Sequence, residues 1–218
     1  MQRRRLVFAT LPAVLLAGPD AAAAPTLVEA AASGDLALVQ RLLKDGADIE
    51  QRDARGRTPV LAATDANQLE IVRTLIARGA NVNAQDQQRD SAFLLAGARG
   101  YTEIVRATLA AGADLKSTNR FGGTALIPAA DRGHVETVRL LLSTRIDVDH
   151  VNNLGWTALL EAVILGNGGP AHTEIVRLLI AHKANVNLAD RQGVTPLAHA
   201  RNRGQATVAK LLADAGGR

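Results

Sequence analysis

The chain has 218 residues, 47% apolar and only 2% aromatic, so its interior is built from Ala, Leu, Val and Ile and not from rings. It contains no cysteine, which excludes disulfides, thiol catalysis and zinc ribbons. A formal net charge of +4 is too small to claim a nucleic-acid partner by itself.

The first element is MQRRRLVFATLPAVLLAGPDAAAAP. Arg3, Arg4 and Arg5 form a basic start, Leu6 to Leu16 an apolar run, and Ala21 to Ala24 a small-residue cleavage site, the three parts of a secretory signal peptide. Residues 1–23 are expected to be removed, with the cut near Ala23 because Pro25 disfavours cleavage directly before itself. The arginines followed by Leu6 and Val7 also resemble a twin-arginine export signal. The apolar run is too short for a comfortable membrane span, so no stable membrane insertion is expected after cleavage. A periplasmic or secreted protein follows. Retention of the segment would instead predict a cytoplasmic or signal-anchored one.

Residues 26–218 read as one repeat array. Segments starting at Asp53, Asp86, Asn119 and Asn152 align at a constant step of 33 residues, and the next start, Asp190, comes 38 later because Asn167 to Ala171 are inserted. The expected units are about 26–52, 53–85, 86–118, 119–151, 152–189 and 190–218. Within a unit, a turn leads to Thr at a helix N-cap, often with Pro behind it, as in Thr58-Pro59 and Thr195-Pro196. An Ala-rich helix follows, then a Gly turn at Gly34, Gly100, Gly133 or Gly204. The second helix carries paired apolar residues one turn apart, such as Ile71-Val72 with Leu75-Ile76, which make one apolar stripe. Gly46, Gly79 and Gly112 then stop it. One helix pair cannot bury such a stripe, so neighbouring pairs must stack.

Gly193, Thr195, Pro196 and Leu197, GHVETVRLLL from Gly133, and GANVN from Gly79 together resemble the ankyrin repeat family. The resemblance spans about residues 26–216 and implies an all-α solenoid of about six stacked helix-turn-helix repeats linked by β-turn fingers. Arg89 replaces a turn glycine, Arg145-Ile146 replace Gly-Ala, Pro128 sits inside a first helix, and Leu61, Leu94, Ile127 and Leu160 stand where the family usually has His. Local distortion is expected there. Both ends read as finished, with Leu27 to Ser33 as an N-terminal cap and charge at Lys210 and Asp214.

Catalytic chemistry is not found. Glu70, Glu103, Glu136 and Glu174 share one repeat position at the start of second helices, where they favour the helix dipole. His134 and His172 also share a position, and His150, His182 and His199 show neither metal-ligand nor His–carboxylate spacing. GNGGP at 166–170 lacks the Lys and Ser/Thr of a phosphate loop and reads as an inserted loop. No enzyme, no cofactor and no metal are expected.

What the resemblance implies instead is binding of an unidentified partner protein through a concave face, by a monomer, without nucleic acid. By the same resemblance the displayed positions include Arg55, Arg57, Arg120, Phe121, Arg132, Leu154, Trp156, Ile164 and Arg191. Trp156 is the single tryptophan. It is either displayed beside Leu154 and Phe121 as an anchor or folded over against Phe121 and the adjacent helix. Two other readings keep the fold: a cytosolic or host-directed effector with an uncleaved N-terminus, and an enzyme or small-ligand binder using the fourth and fifth repeats.

Overall fold

The computed structural model describes residues 24–218; the expected signal segment, residues 1–23, lies outside the described residues. Among the described residues twelve helices follow one another: α1 Leu27–Ser33, α2 Leu36–Lys44, α3 Pro59–Asp65, α4 Leu69–Ala77, α5 Ala92–Arg99, α6 Thr102–Ala110, α7 Leu126–Asp131, α8 Val135–Leu142, α9 Ala158–Ile164, α10 Pro170–Ala181, α11 Pro196–Asn202 and α12 Ala206–Asp214. No strand occurs among the described residues. Odd-numbered helices pack on one another as an inner layer and even-numbered helices as an outer layer, each pair being one repeat. The molecule is an all-α solenoid.

Local chemistry sets each inner helix. Thr58, Ser91, Thr157 and Thr195 accept hydrogen bonds from the backbone N–H of Leu61, Leu94, Leu160 and Ala198, which satisfies a donor that the helix itself cannot pair. Pro59 and Pro196 take the first helical position, where a missing N–H does no harm. The inner faces bury Ala63, Ala96, Ala129, Ala130 and Ala162 almost completely. These small side chains let short helices approach closely, so aromatic bulk is not needed. Gly97 marks the tightest approach: a Cβ there would lie 2.8 Å from the Ala125 Cβ of the next inner helix. The outer helices bury Ile71, Val72 and Leu75, then Ile104 and Val105, Val138 and Leu141, and Ile175, Val176 and Leu179. Each such burial stabilises by about 2 kcal/mol.

Fingers between repeats are held by one acceptor used twice. The Oδ1 atoms of Asp53, Asp86, Asn119, Asn152 and Asp190 each accept the N–H groups two and four residues on, at 2.8–3.1 Å. Five rigid turn tips result, spaced by the repeat.

Three of the departures have local solutions. Arg89 adopts the left-handed conformation, φ 60°, that glycine takes in the neighbouring fingers. At Arg145 the chain avoids that conformation. Outer helix α8 ends at Leu142, and the Thr144 hydroxyl bonds the Leu141 carbonyl at 2.6 Å while accepting the Ile146 N–H at 3.1 Å. Pro128 delays α7 to Leu126, so the proline falls in the first turn and the buried Thr124 hydroxyl is left without a partner. The inserted residues 167–171 become a short loop and the opening turn of α10, which is the longest helix; Gln205 Nε2 pins the loop through the Val163 and Gly166 carbonyls at 3.0 and 3.1 Å.

Candidate protein-binding groove

The inner helices and finger tips of the third to fifth repeats enclose an open groove of about 360 Å³. Phe121 and Leu154 occupy the same place in successive fingers and are 52% and 50% exposed; Leu165, at the end of α9, is 50% exposed and lines the same groove. Arg120 lies over the Phe121 ring at 4.6 Å and bonds the Gln88 side chain. Arg132 donates to the Ala98 carbonyl at 2.7 Å. Both arginines are exposed at the groove's edge.

Below them lie acids. Asp90, Asp131 and Glu161 line the groove, and none of the three forms an ion pair among the described residues. Glu161 is only 6% exposed and accepts the Asn152 Nδ2 at 2.7 Å. Burial drives its carboxyl up to about 7, with Asp131 adding to the rise. Asp90 is also raised, by burial first and by Asp86 second.

Several displayed positions expected from the sequence are placed otherwise. Trp156 is half-buried and stands outside the groove lining, its backbone N–H donating to the Asn152 Oδ1. Ile164 is half-buried and likewise outside, whereas its neighbour Leu165 lies in the groove. Arg57 pairs with Asp53 at 2.8 Å and Asp65 at 2.9 Å; Arg99 joins Asp65 at 2.9 Å and Arg55 approaches it at 3.9 Å. That knot lines a smaller hollow that shares Gln88, Asp90, Leu95 and Arg99 with the groove. Arg191 is exposed one repeat further on, its side chain against Gly155.

Sequence reasoning missed two features. His199 Nε2 pairs with the Asp190 carboxylate at 2.7 Å across nine residues, a contact that spacing motifs do not encode. The second is Glu161, whose signal is that its repeat position holds Ala62, Leu95 and Pro128 in the second to fourth repeats, with an acid otherwise only at the exposed Glu29 of the first. Three other histidines bond backbone carbonyls: His150 that of Gly122, His172 that of Asp131 and His182 that of Leu178. The outer-helix glutamates pair with arginines, Glu70 with Arg73 at 2.8 Å and Glu174 with Arg139 of the preceding repeat at 3.3 Å. No cluster of three metal-ligating side chains occurs among the described residues.

A helical solenoid of paired short helices with rigid fingers defines the class, and comparison supplies the family. The family model for ankyrin repeats (3 copies) matches residues 27–119 and 92–171, and that for a single ankyrin repeat matches residues 154–191. The chain is similar to a solved ankyrin repeat domain from Acinetobacter baumannii AYE, with 55% identity, coverage of 88% of this chain and 98% of that one, and a TM-score of 0.85. A second solved ankyrin repeat protein is 41% identical over 86% and 96% of the two chains, TM-score 0.83. The ankyrin repeat domain of Bcl-3, a member of the IkappaB protein family, is 30% identical over 90% and 88%, TM-score 0.80. A comparison with curated proteins returns no match. The chain belongs to the ankyrin repeat family, whose members generally act as protein-interaction scaffolds and not as enzymes.

Proposed function

We propose that this protein is an exported, monomeric scaffold that binds a partner protein through the groove on its concave face and performs no catalysis. The observation that carries the reading is three large apolar side chains, Phe121, Leu154 and Leu165, half-exposed together in one groove. Exposed apolar clusters of this kind mark contact sites, and anchors already fixed by packed helices lose little freedom on binding. Export rests on the basic, apolar and small-residue pattern of residues 1–23. The place of action is then the periplasm or the exterior.

In-cell crosslinking of the tagged chain beside a Phe121→Ser/Leu154→Ser variant, with N-terminal sequencing of the recovered protein, tests both parts. The expected result is a chain beginning near residue 24 that carries a partner absent from the variant. A partner retained by the variant would refute the face, and an intact Met1 would place the scaffold in the cytoplasm or at the membrane.

A further inference from the structure

We propose that the groove is built for a cation: a lysine or arginine side chain of the partner, flanked by apolar residues, enters beside Phe121 and Leu154 and pairs with the Glu161 carboxylate. The inference rests on the concave-face reading and gives the partner a chemistry. Glu161 is more than nine-tenths buried and lines the groove, with one oxygen on Asn152 and no hydrogen bond to the other from the described residues. A carboxylate so placed is costly while ionised unless a cation meets it. Asp90 and Asp131 line the same groove, also without ion pairs, so three acids gather beneath the exposed Arg99, Arg120 and Arg132 at its edge.

The nearby arginines are engaged elsewhere. Arg99 holds Asp65, Arg132 the Ala98 carbonyl, and Arg120 the Gln88 side chain and the Phe121 ring. All three are exposed, whereas the acids lie deeper. An acidic partner group drawn to the arginines would therefore sit over three carboxylates, while a long basic side chain would pass the arginines and end among the acids. The exposed apolar side chains Phe121, Leu154 and Leu165 suit the methylene stem of such a residue.

The repeats provide an internal control. Stacking does not require a charge at this position, since Ala62, Leu95 and Pro128 fill it in the second to fourth repeats, and in the first repeat Glu29 stands there exposed and bonded to the N-cap Thr26. In the last repeat the equivalent residue is His199, and there the chain supplies its own counterpart, Asp190, at 2.7 Å. Glu161 meets the equivalent finger residue, Asn152, at 2.7 Å, but that amide carries no charge to balance the carboxylate. Asn152 needs an acceptor there but not a charge, so a buried carboxyl that opposes folding when ionised points to a binding role.

The test is selection from a random dodecapeptide library displayed on phage, using the full-length chain, with competition by the Phe121→Ser/Leu154→Ser variant to identify groove binders. Groove-dependent peptides are expected to share one Lys or Arg beside apolar residues. Replacing that Lys by norleucine is expected to weaken binding about tenfold or more. Glu161→Gln, which keeps the shape and the Asn152 bond, is expected to weaken the lysine peptide by the same about tenfold and the norleucine peptide by no more than about twofold. The norleucine comparison is made on the unaltered protein and stands even if the variant folds poorly. Groove-dependent peptides without a basic residue, or with an acidic one in its place, or insensitive to Glu161→Gln, would overturn the cation while leaving the concave-face reading intact. Selected peptides that bind the Phe121/Leu154 variant equally well, or a library that returns no groove binder, would overturn both.

Discussion

At Glu161, burial pushes the carboxyl up to about 7 from an ordinary 4.5, Asp131 adds to it, and the Asn152 bond and Arg132 oppose it only in part. The sign of the pH dependence follows. Below pH 4.5 the group is protonated in the folded and unfolded chains alike, and the site is neutral to stability. Between 4.5 and 7 the unfolded chain releases its proton while the folded chain keeps it, so stability falls as pH rises, levelling above 7 at a loss of about 3 kcal/mol. Glu161→Gln is therefore expected to raise the urea midpoint at pH 8 and leave it unchanged at pH 4; equal shifts at both values would sink the assignment. Arg89 carries a different strain, a side-chain-bearing residue at φ 60°. Arg89→Gly is expected to stabilise by about 1 kcal/mol, less whatever its exposed 3.3 Å bond to Thr118 contributes. A lowered urea midpoint would mean that the bond dominates.

Among the inner helices, the N-cap hydroxyl gives paired predictions. The Thr157 hydroxyl accepts the Leu160 N–H at 3.2 Å, so Thr157→Val is expected to lose about 1 kcal/mol in a urea titration. The Thr124 hydroxyl is buried with no partner, so Thr124→Val, of the same shape, is expected to be neutral or stabilising. Equal losses at the two positions would show that Thr124 does cap α7. Helices and caps were legible in the sequence because a Thr, an Ala-rich face and a Gly stop act within a turn or two of chain. The groove was only half legible. Repeat register placed Phe121, Leu154, Arg120 and Arg132 at one face, but depth within it depends on neighbours a repeat away. Hence Leu165 reaches the groove where Ile164 does not, Trp156 sinks beside its own finger, and Arg57 is taken up by Asp53 and Asp65. No local pattern encodes those choices.

Across the whole molecule, stability is a chain of nearest-neighbour interfaces, so one tight contact can decide whether the array unfolds as a unit. Gly97 is such a contact. Alanine would gain about 1 kcal/mol of helix propensity, yet its Cβ would meet the Ala125 Cβ at 2.8 Å and the Ala125 carbonyl oxygen at 3.1 Å. Gly97→Ala is expected to lose about 1–3 kcal/mol net and to broaden the urea transition seen by circular dichroism, as the third and fourth repeats part. A higher midpoint with an unchanged slope would show that α5 and α7 can shift apart freely. The half-buried Trp156 adds a consequence of its own. Excited at the red edge of its absorption, where Tyr101 does not absorb, the chain's one indole gives an emission that comes entirely from the fifth repeat. Fluorescence thus watches a single link while circular dichroism sums every helix of the array. Any gap between the two curves is a direct reading of how far along the stack a local event is felt.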